Sequence, residues 1–183
     1  MGPELELDTR KRIFDTIHSS PGIHLRELER HLGIAVGNLQ YHLHYMEKKG
    51  LVSILRDEQF VRYFVKDREL SDNDRMILSF LRKKACRHIL MDLMEEPGMN
   101  NKGISSSVGL SPSTVSWHLN KMVASGVVSK TVHGRESNFE VVDPETVAGL
   151  MISYKGSFFD KLLDNFIDMW ELGSASENEK HYK

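Results

Sequence analysis

A sixteen-residue pattern occurs twice in this chain and constrains its fold more than any other feature. Residues 35–50 read AVGNLQYHLHYMEKKG and residues 111–126 read SPSTVSWHLNKMVASG, so an aromatic-His-Leu core occurs at His42 and again at His118. The same offset aligns residues 11–65 with residues 87–141 without a gap, and it superimposes Pro21, Gly22, Gly33 and Gly50 on Pro97, Gly98, Gly109 and Gly126. This period is too long for a solenoid unit and has the size of a small domain. The sequence therefore predicts two copies of one domain.

The first copy predicts three helices followed by two strands. Asp8 or Thr9 is expected to cap the first helix, and the second and third helices are expected to end at Gly33 and Gly50. Leu39, Leu43 and Met46 form the predicted buried stripe of the third helix. The strands and the turn between them are expected at residues 51–55, 60–65 and 56–59.

The second copy repeats this order. Ser111 is a good N-cap for its third helix, and Pro112 suits the first helical position. Its strands are expected at residues 127–132 and 137–142, with the hairpin tip at residues 133–136. A helix, a helix-turn-helix and a β-hairpin make up a winged helix-turn-helix.

After the second copy, apolar residues recur at helical spacing over residues 147–170. We therefore expect a mainly α (α+β) fold of tandem winged helix-turn-helix domains with a C-terminal helical dimerisation segment. The expected limits are 1–70 and 71–143 for the two domains, 144–172 for the helical segment, and 173–183 for a disordered tail.

Composition excludes several other classes of protein. The single cysteine, Cys86, allows no disulfide within the chain and fits a reducing compartment. No signal peptide and no apolar run of about 20 residues is present, so we expect a cytoplasmic protein that does not enter a membrane. The sequence has no phosphate-binding loop, nucleophile elbow or zinc-protease motif, and we predict no enzyme activity, no cofactor and no metal site.

The second copy resembles a known class of regulator. LSPSTVSWHLNKMVASGVVSK resembles the helix-turn-helix core of ArsR-type and MarR-type repressors. The double copy followed by PETVAGLMISYKGSFFDKLLDNFIDMW resembles archaeal transcriptional regulators with two winged-helix domains. This resemblance covers residues 10–170. It implies a DNA-binding regulator of transcription that dimerises through terminal helices.

Helical geometry selects the side chains that would meet double-stranded DNA. In a helix-turn-helix the third helix enters the major groove, and its outward side chains contact bases and phosphates. In the first copy the candidate residues are Asn38, Gln40, Tyr41, His44 and Lys48, with Arg56 and Arg62 on the wing. In the second copy they are Ser113, Thr114, Ser116, Trp117, Asn120 and Lys121, with Lys130, His133 and Arg135 on the wing. His42 and His118 are interpreted as structural residues that hydrogen-bond the turn.

The aromatic C-terminal segment must bury its apolar side chains, either on its own domain or on a second chain. We favour a homodimer, because two half-sites add their binding energies. The candidate dimerisation residues are Phe158, Phe159, Leu162, Leu163, Phe166, Ile167 and Trp170.

Charge keeps a second interpretation open. Residues 1–70 carry 11 basic and 11 acidic residues, and residues 71–143 carry 9 basic and 8 acidic residues. Neither domain is strongly basic, so DNA binding would depend on a local basic surface. The alternative is a winged-helix protein-interaction module in a transcription, replication or chromosome complex, with a protein of the transcription machinery as its partner.

Overall fold

The structure, a computed structural model, describes residues 3–57, 60–66 and 70–180. The chain forms two compact units, Met1–Ser79 and Phe80–Lys183. Residues 58–59 of the predicted first turn and residues 181–183 of the predicted tail lie outside the described residues. The limits drawn from the sequence between the two domains, and between the second domain and the helical segment, stay predictions.

The first unit follows the predicted order of elements. Its helices are α1 (Pro3–Ser19), α2 (Leu25–Leu32) and α3 (Val36–Lys48), and its strands are β1 (Ile23–His24), β2 (Val52–Arg56) and β3 (Val61–Val65). Helix α2 ends at Gly33, whose φ is 65° and whose N–H bonds to the carbonyl of Glu29. Glycine adopts this left-handed backbone without steric cost, so the predicted helix end is confirmed. Helix α4 (Asp72–Leu81) follows the hairpin.

The second unit repeats the plan and adds the C-terminal helices. Its helices are α5 (Lys84–Glu95), α6 (Asn101–Val108) and α7 (Pro112–Ala124), and its strands are β4 (Met99–Asn100), β5 (Val128–His133) and β6 (Glu136–Val141). Helix α8 (Pro144–Tyr154), a 3₁₀ turn (Lys155–Ser157) and helix α9 (Lys161–Lys180) complete it. Helix α9 packs against α8 and α5.

Each unit contains a three-stranded antiparallel sheet, whereas the sequence predicted only the hairpin. The strand orders are β1-β3-β2 and β4-β6-β5. Ile23 pairs with Tyr63 in the first sheet, and Met99 pairs with Phe139 in the second. These two pairs occupy equivalent positions of the sequence repeat. The extra strand makes β3 and β6 central strands.

Two predicted helix limits are wrong. Helix α1 begins at Pro3 and has no cap at Asp8 or Thr9. Proline fits the first helical turn because the N–H groups there lack intrahelical acceptors, and the Glu and Leu residues that follow favour a helix. At the other end, α9 continues to Lys180, past the tail boundary expected at Gly173. A glycine inside a helix costs about 1 kcal/mol relative to alanine, which is too little to end it by itself.

The third helix of each copy buries the stripe that its periodicity predicts. Leu39, Leu43 and Met46 of α3 are buried, as are their counterparts Val115, Leu119 and Met122 of α7. Because each stripe faces its own unit, the opposite face of each helix is turned to solvent. Among the helices that the structure describes, none is long and apolar enough to cross a membrane.

Candidate nucleic-acid interface

Helix α7 begins with a cluster of hydroxyl groups. The Oγ of Ser111 accepts a hydrogen bond from the backbone N–H of Thr114 at 3.2 Å, which confirms Ser111 as the N-cap. The same oxygen lies 3.0 Å from Oγ of Ser113 and 2.8 Å from Oγ1 of Thr114. These bonds fix the first turn of α7 and the side chains that this turn presents to solvent.

The solvent face of α7 carries the residues that the sequence predicted. Exposed side chains along this face are Ser113, Thr114, Ser116, Trp117 and Asn120. Lys121 is half-buried, and its Nζ lies 3.8 Å from the centroid of the Trp117 ring. At this distance the cation and the ring attract each other, so Lys121 holds Trp117 against the helix. The face combines short hydrogen-bonding groups with one cation at its end.

An open groove of about 430 Å³ lies between α7 and the hairpin of β5 and β6. Ser116 and Asn120 of α7 form one side, and Lys130 and Arg135 of the hairpin lie on the other. The remaining lining residues are Asn100, Asn101, Lys102, Glu136, Ser137 and Phe139. The groove therefore brings four of the predicted site residues to one place.

The charge of this groove is positive although the chain as a whole carries −2. Lys102, Lys130 and Arg135 line it together with one carboxylate, that of Glu136. Asn101, Ser116 and Asn120 add amide and hydroxyl groups. Cations beside short polar side chains suit a ligand with phosphates next to hydrogen-bonding edges. His133, at the end of β5, is exposed but is absent from the groove lining.

Sequence reasoning missed six of the ten lining residues, and Asn100, Asn101 and Lys102 are the three of these that come from outside the hairpin. They lie at the start of α6, and β4 brings them beside the central strand β6. Asn100 caps α6 by accepting the backbone N–H of Gly103 at 2.9 Å. A short polar residue before a predicted helix signals such a cap, but the groove itself depends on the two-residue strand.

The buried face of α7 places His118 against Cys86 of α5. Nδ1 of His118 lies 3.2 Å from Sγ of Cys86. Burial lowers the pKa of His118, and the charges of Lys83 and Lys121 lower it further. Burial and the two lysines therefore favour the neutral imidazole. It contacts the thiol, which is not the turn contact that the sequence suggested.

The matching histidine of the first unit is buried, whereas His118 is half-buried. His42 is 3% exposed. Burial lowers its pKa, the charge of Arg10 lowers it further, and Glu6 opposes both. Its Nδ1 has no hydrogen-bond partner among the described residues, so the predicted bond to the turn is not formed. Both histidines belong to the helix cores and take no part in the solvent face.

The solvent face of α3 in the first unit is more aromatic than that of α7. Exposed along it are Asn38, Gln40, Tyr41, His44 and Lys48. Tyr45 lies beside them with its ring 4.0 Å from the guanidinium carbon of Arg10. Arg56, at the end of β2, is exposed as predicted for a wing residue.

Arg62 was predicted to contact DNA from the wing, and this prediction is wrong. Its side chain is 1% exposed. Its Nε donates to Oδ2 of Asp57 at 2.9 Å, and its Nη1 donates to the carbonyl of Gly22 at 2.9 Å. The cause is the unpredicted strand β1, because His24 pairs with Arg62 from one side while Leu55 pairs from the other.

The hairpin of the first unit, β2 and β3, is less exposed than that of the second unit. The rings of His24 and Phe60 stack with their centroids 4.5 Å apart and their planes within 9°. Ser53, Ile54 and Leu55 of β2 are half-buried, whereas the equivalent Ser129, Lys130 and Thr131 of β5 are exposed. The two hairpins therefore offer different surfaces, although they share one sequence register.

The C-terminal segment divides into a buried and an exposed face. Leu163, Phe166 and Ile167 are buried in the second unit, because α9 packs on α5 and α8. Their predicted role in a dimer is wrong for this conformation. Phe158 and Trp170 are half-buried, and the Trp170 ring stacks on Phe166 at 5.8 Å. Of the predicted dimer residues, Phe159 is 81% exposed and Leu162 is 54% exposed.

Metal-ligating side chains do not converge anywhere in the part of the chain that the structure describes. No group of three His, Cys, Asp or Glu residues there could hold a metal ion.

The comparisons with known proteins agree with this architecture. Residues 7–78 match a family described as an N-terminal HTH domain, and residues 87–129 match a family described as winged helix-turn-helix DNA-binding. Together with the two sheets and the exposed faces of α3 and α7, these matches define the class. The chain is a tandem winged helix-turn-helix protein.

Its sequence is similar to that of an archaeal protein. A Methanocaldococcus jannaschii protein named as an uncharacterized HTH-type transcriptional regulator is 30% identical over 127 residues. The alignment covers 69% of this chain and 32% of that protein. The chain therefore spans about a third of the length of this relative.

The solved structures that match part of this chain include two bacterial regulators. The transcriptional repressor PagR of Bacillus anthracis is 23% identical, with a TM-score of 0.40 over 44% of this chain and 92% of its own. The PcaV transcriptional regulator from Streptomyces coelicolor is 17% identical, with a TM-score of 0.34 over 80% of this chain and 94% of its own.

Proposed function

We propose that the protein is a sequence-specific, DNA-binding regulator of transcription. In this function α7 enters the major groove, where Ser113, Thr114, Ser116 and Asn120 meet base edges. The hairpin of β5 and β6 lies on the backbone or in the minor groove. The activity of the protein in this proposal is DNA binding and not catalysis. The proposed location is the cytoplasm.

The groove between α7 and the hairpin carries this proposal. Lys102, Lys130 and Arg135 line it beside Ser116 and Asn120, so phosphate-binding and base-reading groups lie on one surface. Lys or Arg side chains that neutralise phosphates supply affinity, and amide or hydroxyl groups supply sequence preference. Because this local surface is positive, the low net charge of the whole chain does not argue against DNA binding.

Selection from a random duplex pool tests the proposal directly. The full-length protein is incubated with the pool at near-physiological salt, and the bound duplexes are sequenced over several rounds. We expect an enriched motif. If folded protein enriches none, the proposal fails, and the alternative of a protein-interaction module gains support.

Two kinds of variant then separate base reading from phosphate contact. Thr114→Ala and Ser113→Ala are expected to change the enriched motif, because their hydroxyls face the bases. Lys121→Ala is expected to weaken binding to all duplexes alike, because it removes a cation at the end of the helix face. Unchanged binding by all three variants would contradict the assignment of α7 as the reader.

We infer further that the protein acts as a homodimer through the exposed side of its C-terminal segment. Phe159 and Leu162 expose apolar surface there. Phe159 also has a φ of 50°, a backbone that is strained for a bulky residue. Phe159→Asn removes the ring while keeping a residue that tolerates this backbone.

Sedimentation velocity over a range of concentrations tests the dimer. We expect the unmodified protein to dimerise and Phe159→Asn to dissociate at higher concentrations, with an unchanged circular dichroism spectrum. Gly149→Ala is a suitable control, because a Cβ at this exposed helical position meets no atom within 4 Å. A monomeric unmodified protein would contradict the dimer without affecting the assignment of the DNA surface.

A further inference from the structure

The side chain of Asn101 makes three hydrogen bonds within the second unit. Its Nδ2 donates to the carbonyl of Pro112 at 3.2 Å and to Oγ of Ser116 at 2.9 Å. Its Oδ1 accepts from Oγ of Ser105 at 3.3 Å. Because a carbonyl oxygen can only accept, the Pro112 contact determines which atom of the Asn101 amide is the nitrogen.

This arrangement determines how the hydroxyl of Ser116 can bond. A helical serine commonly donates its proton to the carbonyl four residues earlier, which for Ser116 is that of Pro112. That carbonyl already receives the helical N–H of Ser116 and the Nδ2 of Asn101, so both of its lone pairs are occupied. With Asn101 also donating to Oγ, the Ser116 proton is left for a ligand in the groove.

We infer that Asn101 is a positioning residue that presents Ser116 as a hydrogen-bond donor to a base in the major groove. The inference rests on the proposed function. Ser116 is exposed and lines the groove next to Asn120. The matching acceptors on base edges are N7 and O6 of guanine, N7 of adenine and O4 of thymine. When it donates its proton, Ser116 pairs with these atoms and not with the amino groups of adenine and cytosine.

The first unit cannot make this arrangement. In the register of the repeat, Leu25 corresponds to Asn101, and Gln40 corresponds to Ser116. Leu25 packs against the core of the first unit and has no group that can bond to Gln40. Ile54 likewise occupies the position of Lys130. The positioned donor belongs to the second unit, and base discrimination of this kind is expected only there.

A double-mutant cycle in the full-length protein tests the inference. The motif enriched by the unmodified protein is used as the probe, and its single-base variants are measured at constant salt. Ser116→Ala and Asn101→Leu are each expected to reduce discrimination at the same base by roughly two- to tenfold, the range for a neutral hydrogen bond. The double variant should lose no more than Ser116→Ala alone, because Asn101 acts through Ser116.

A change of preference gives a second readout that loss of stability would not produce. Asn101→Asp replaces the donor by an acceptor, so the Ser116 proton turns toward the carboxylate. Ser116 can then only accept from a base, and preference at that position should move toward the amino groups of adenine or cytosine. Thermal unfolding of each variant checks that the second unit remains folded.

These measurements distinguish a failure of the role assigned to Asn101 from a failure of the proposed DNA-binding function. Additive losses in the double variant, or unchanged preference in Asn101→Leu and Asn101→Asp, would overturn the role of Asn101 while leaving DNA binding intact. If the unmodified protein enriches no motif, the proposed function fails and this inference fails with it.

Discussion

Arg87 and Asp160 form a buried ion pair that ties the start of the C-terminal helix to α5. Nε and Nη2 of Arg87 donate to the same carboxylate oxygen, Oδ2 of Asp160, at 2.9 and 2.6 Å. The two side chains are 4% and 6% exposed. Nε2 of His88 lies 2.8 Å from the same oxygen. The Asp160 carboxylate is therefore the acidic partner of both Arg87 and His88, two consecutive residues of α5.

Removal of this carboxylate is expected to destabilise the second unit strongly. Asp160→Ala leaves the Arg87 guanidinium buried without its counter-charge, and breaking a buried pair in this way costs about 3–5 kcal/mol. Urea unfolding monitored by tryptophan fluorescence measures the change. Asp164→Ala, at an exposed position of the same helix, is the control and should change stability by no more than about 0.5 kcal/mol. Equal effects of the two variants would contradict the assigned role.

Stability is expected to decrease as the pH falls through the histidine range. The pKa values of His42 and His118 are lowered in the folded protein, mainly by burial. Below the unfolded-state pKa of about 6.5 the unfolded chain binds protons that the folded chain does not, so acid favours unfolding. The stability that these two histidines contribute is fully present above this pH. It is lost progressively as the pH falls to their lower folded-state pKa.

Unfolding free energies between pH 8 and pH 5 test this dependence. His118→Gln should show a smaller decrease than the unmodified protein, whatever its absolute stability. His133→Gln, which removes an exposed histidine at the hairpin end, is measured beside it as the matched control. A slope that is the same in His118→Gln and the unmodified protein would show that His118 is not the group responsible.

The two helices that carry the solvent faces differ in their N-caps, and the repeat allows a reciprocal test. Ser111 caps α7 with its side chain, whereas Ala35 at the same register of α3 makes no side-chain cap bond. The backbone angles are close, with φ and ψ of −65° and 147° for Ser111 and −56° and 141° for Ala35. A serine at position 35 therefore fits without rearrangement.

Ser111→Ala is expected to lower the stability of the second unit by about 1 kcal/mol, and Ala35→Ser to raise that of the first by a similar or smaller amount. Differential scanning calorimetry, which resolves the unfolding of separate units, measures both. Opposite signs confirm the cap assignment. A destabilising Ala35→Ser would show that the first unit's turn does not have the geometry described.

Arg62 is expected to stabilise the first unit and to contribute nothing to DNA affinity. Arg62→Met removes its bonds to Asp57 and to the carbonyl of Gly22 and should cost about 1–3 kcal/mol. Arg56→Met, on the exposed end of the same hairpin, should cost less than about 0.5 kcal/mol. Denaturant unfolding gives the stabilities. Weaker DNA binding by folded Arg62→Met would contradict the structural role.

The sequence predicts those features that depend on neighbouring residues. Gly33 and the Ser111-Pro112 pair mark helix limits by local backbone preferences, and the 3.6-residue period separates the buried from the exposed face of α7. Strands β1 and β4 were missed because two residues, such as Ile23 and His24, are too short to show alternation. Because β1 was not predicted, Arg62 was expected on the surface. Because β4 was not predicted, Asn101 was not recognised as a groove residue.

Contacts between distant positions were also outside the reach of sequence patterns. Arg87 and Asp160 are far apart in the chain, and no period or motif links them. The burial of Leu163, Phe166 and Ile167 follows from the packing of α9 on α5, which a single apolar stripe does not specify. An apolar helix face predicts burial, but the sequence alone does not say which surface covers it.

The central claim is that the groove beside α7 holds phosphates of the DNA. The salt dependence of DNA binding tests this claim most directly. The logarithm of the binding constant falls with the logarithm of salt concentration by about 0.9 for each phosphate neutralised. The probe is the enriched duplex, and the protein is the full-length chain. Lys130→Ala with Arg135→Ala should reduce the slope by up to about 1.8. Lys84→Ala with Lys155→Ala, which removes the same charge at exposed positions away from the groove lining, should leave the slope unchanged. Equal slopes for the two double variants, or binding that does not respond to salt at all, would contradict the account.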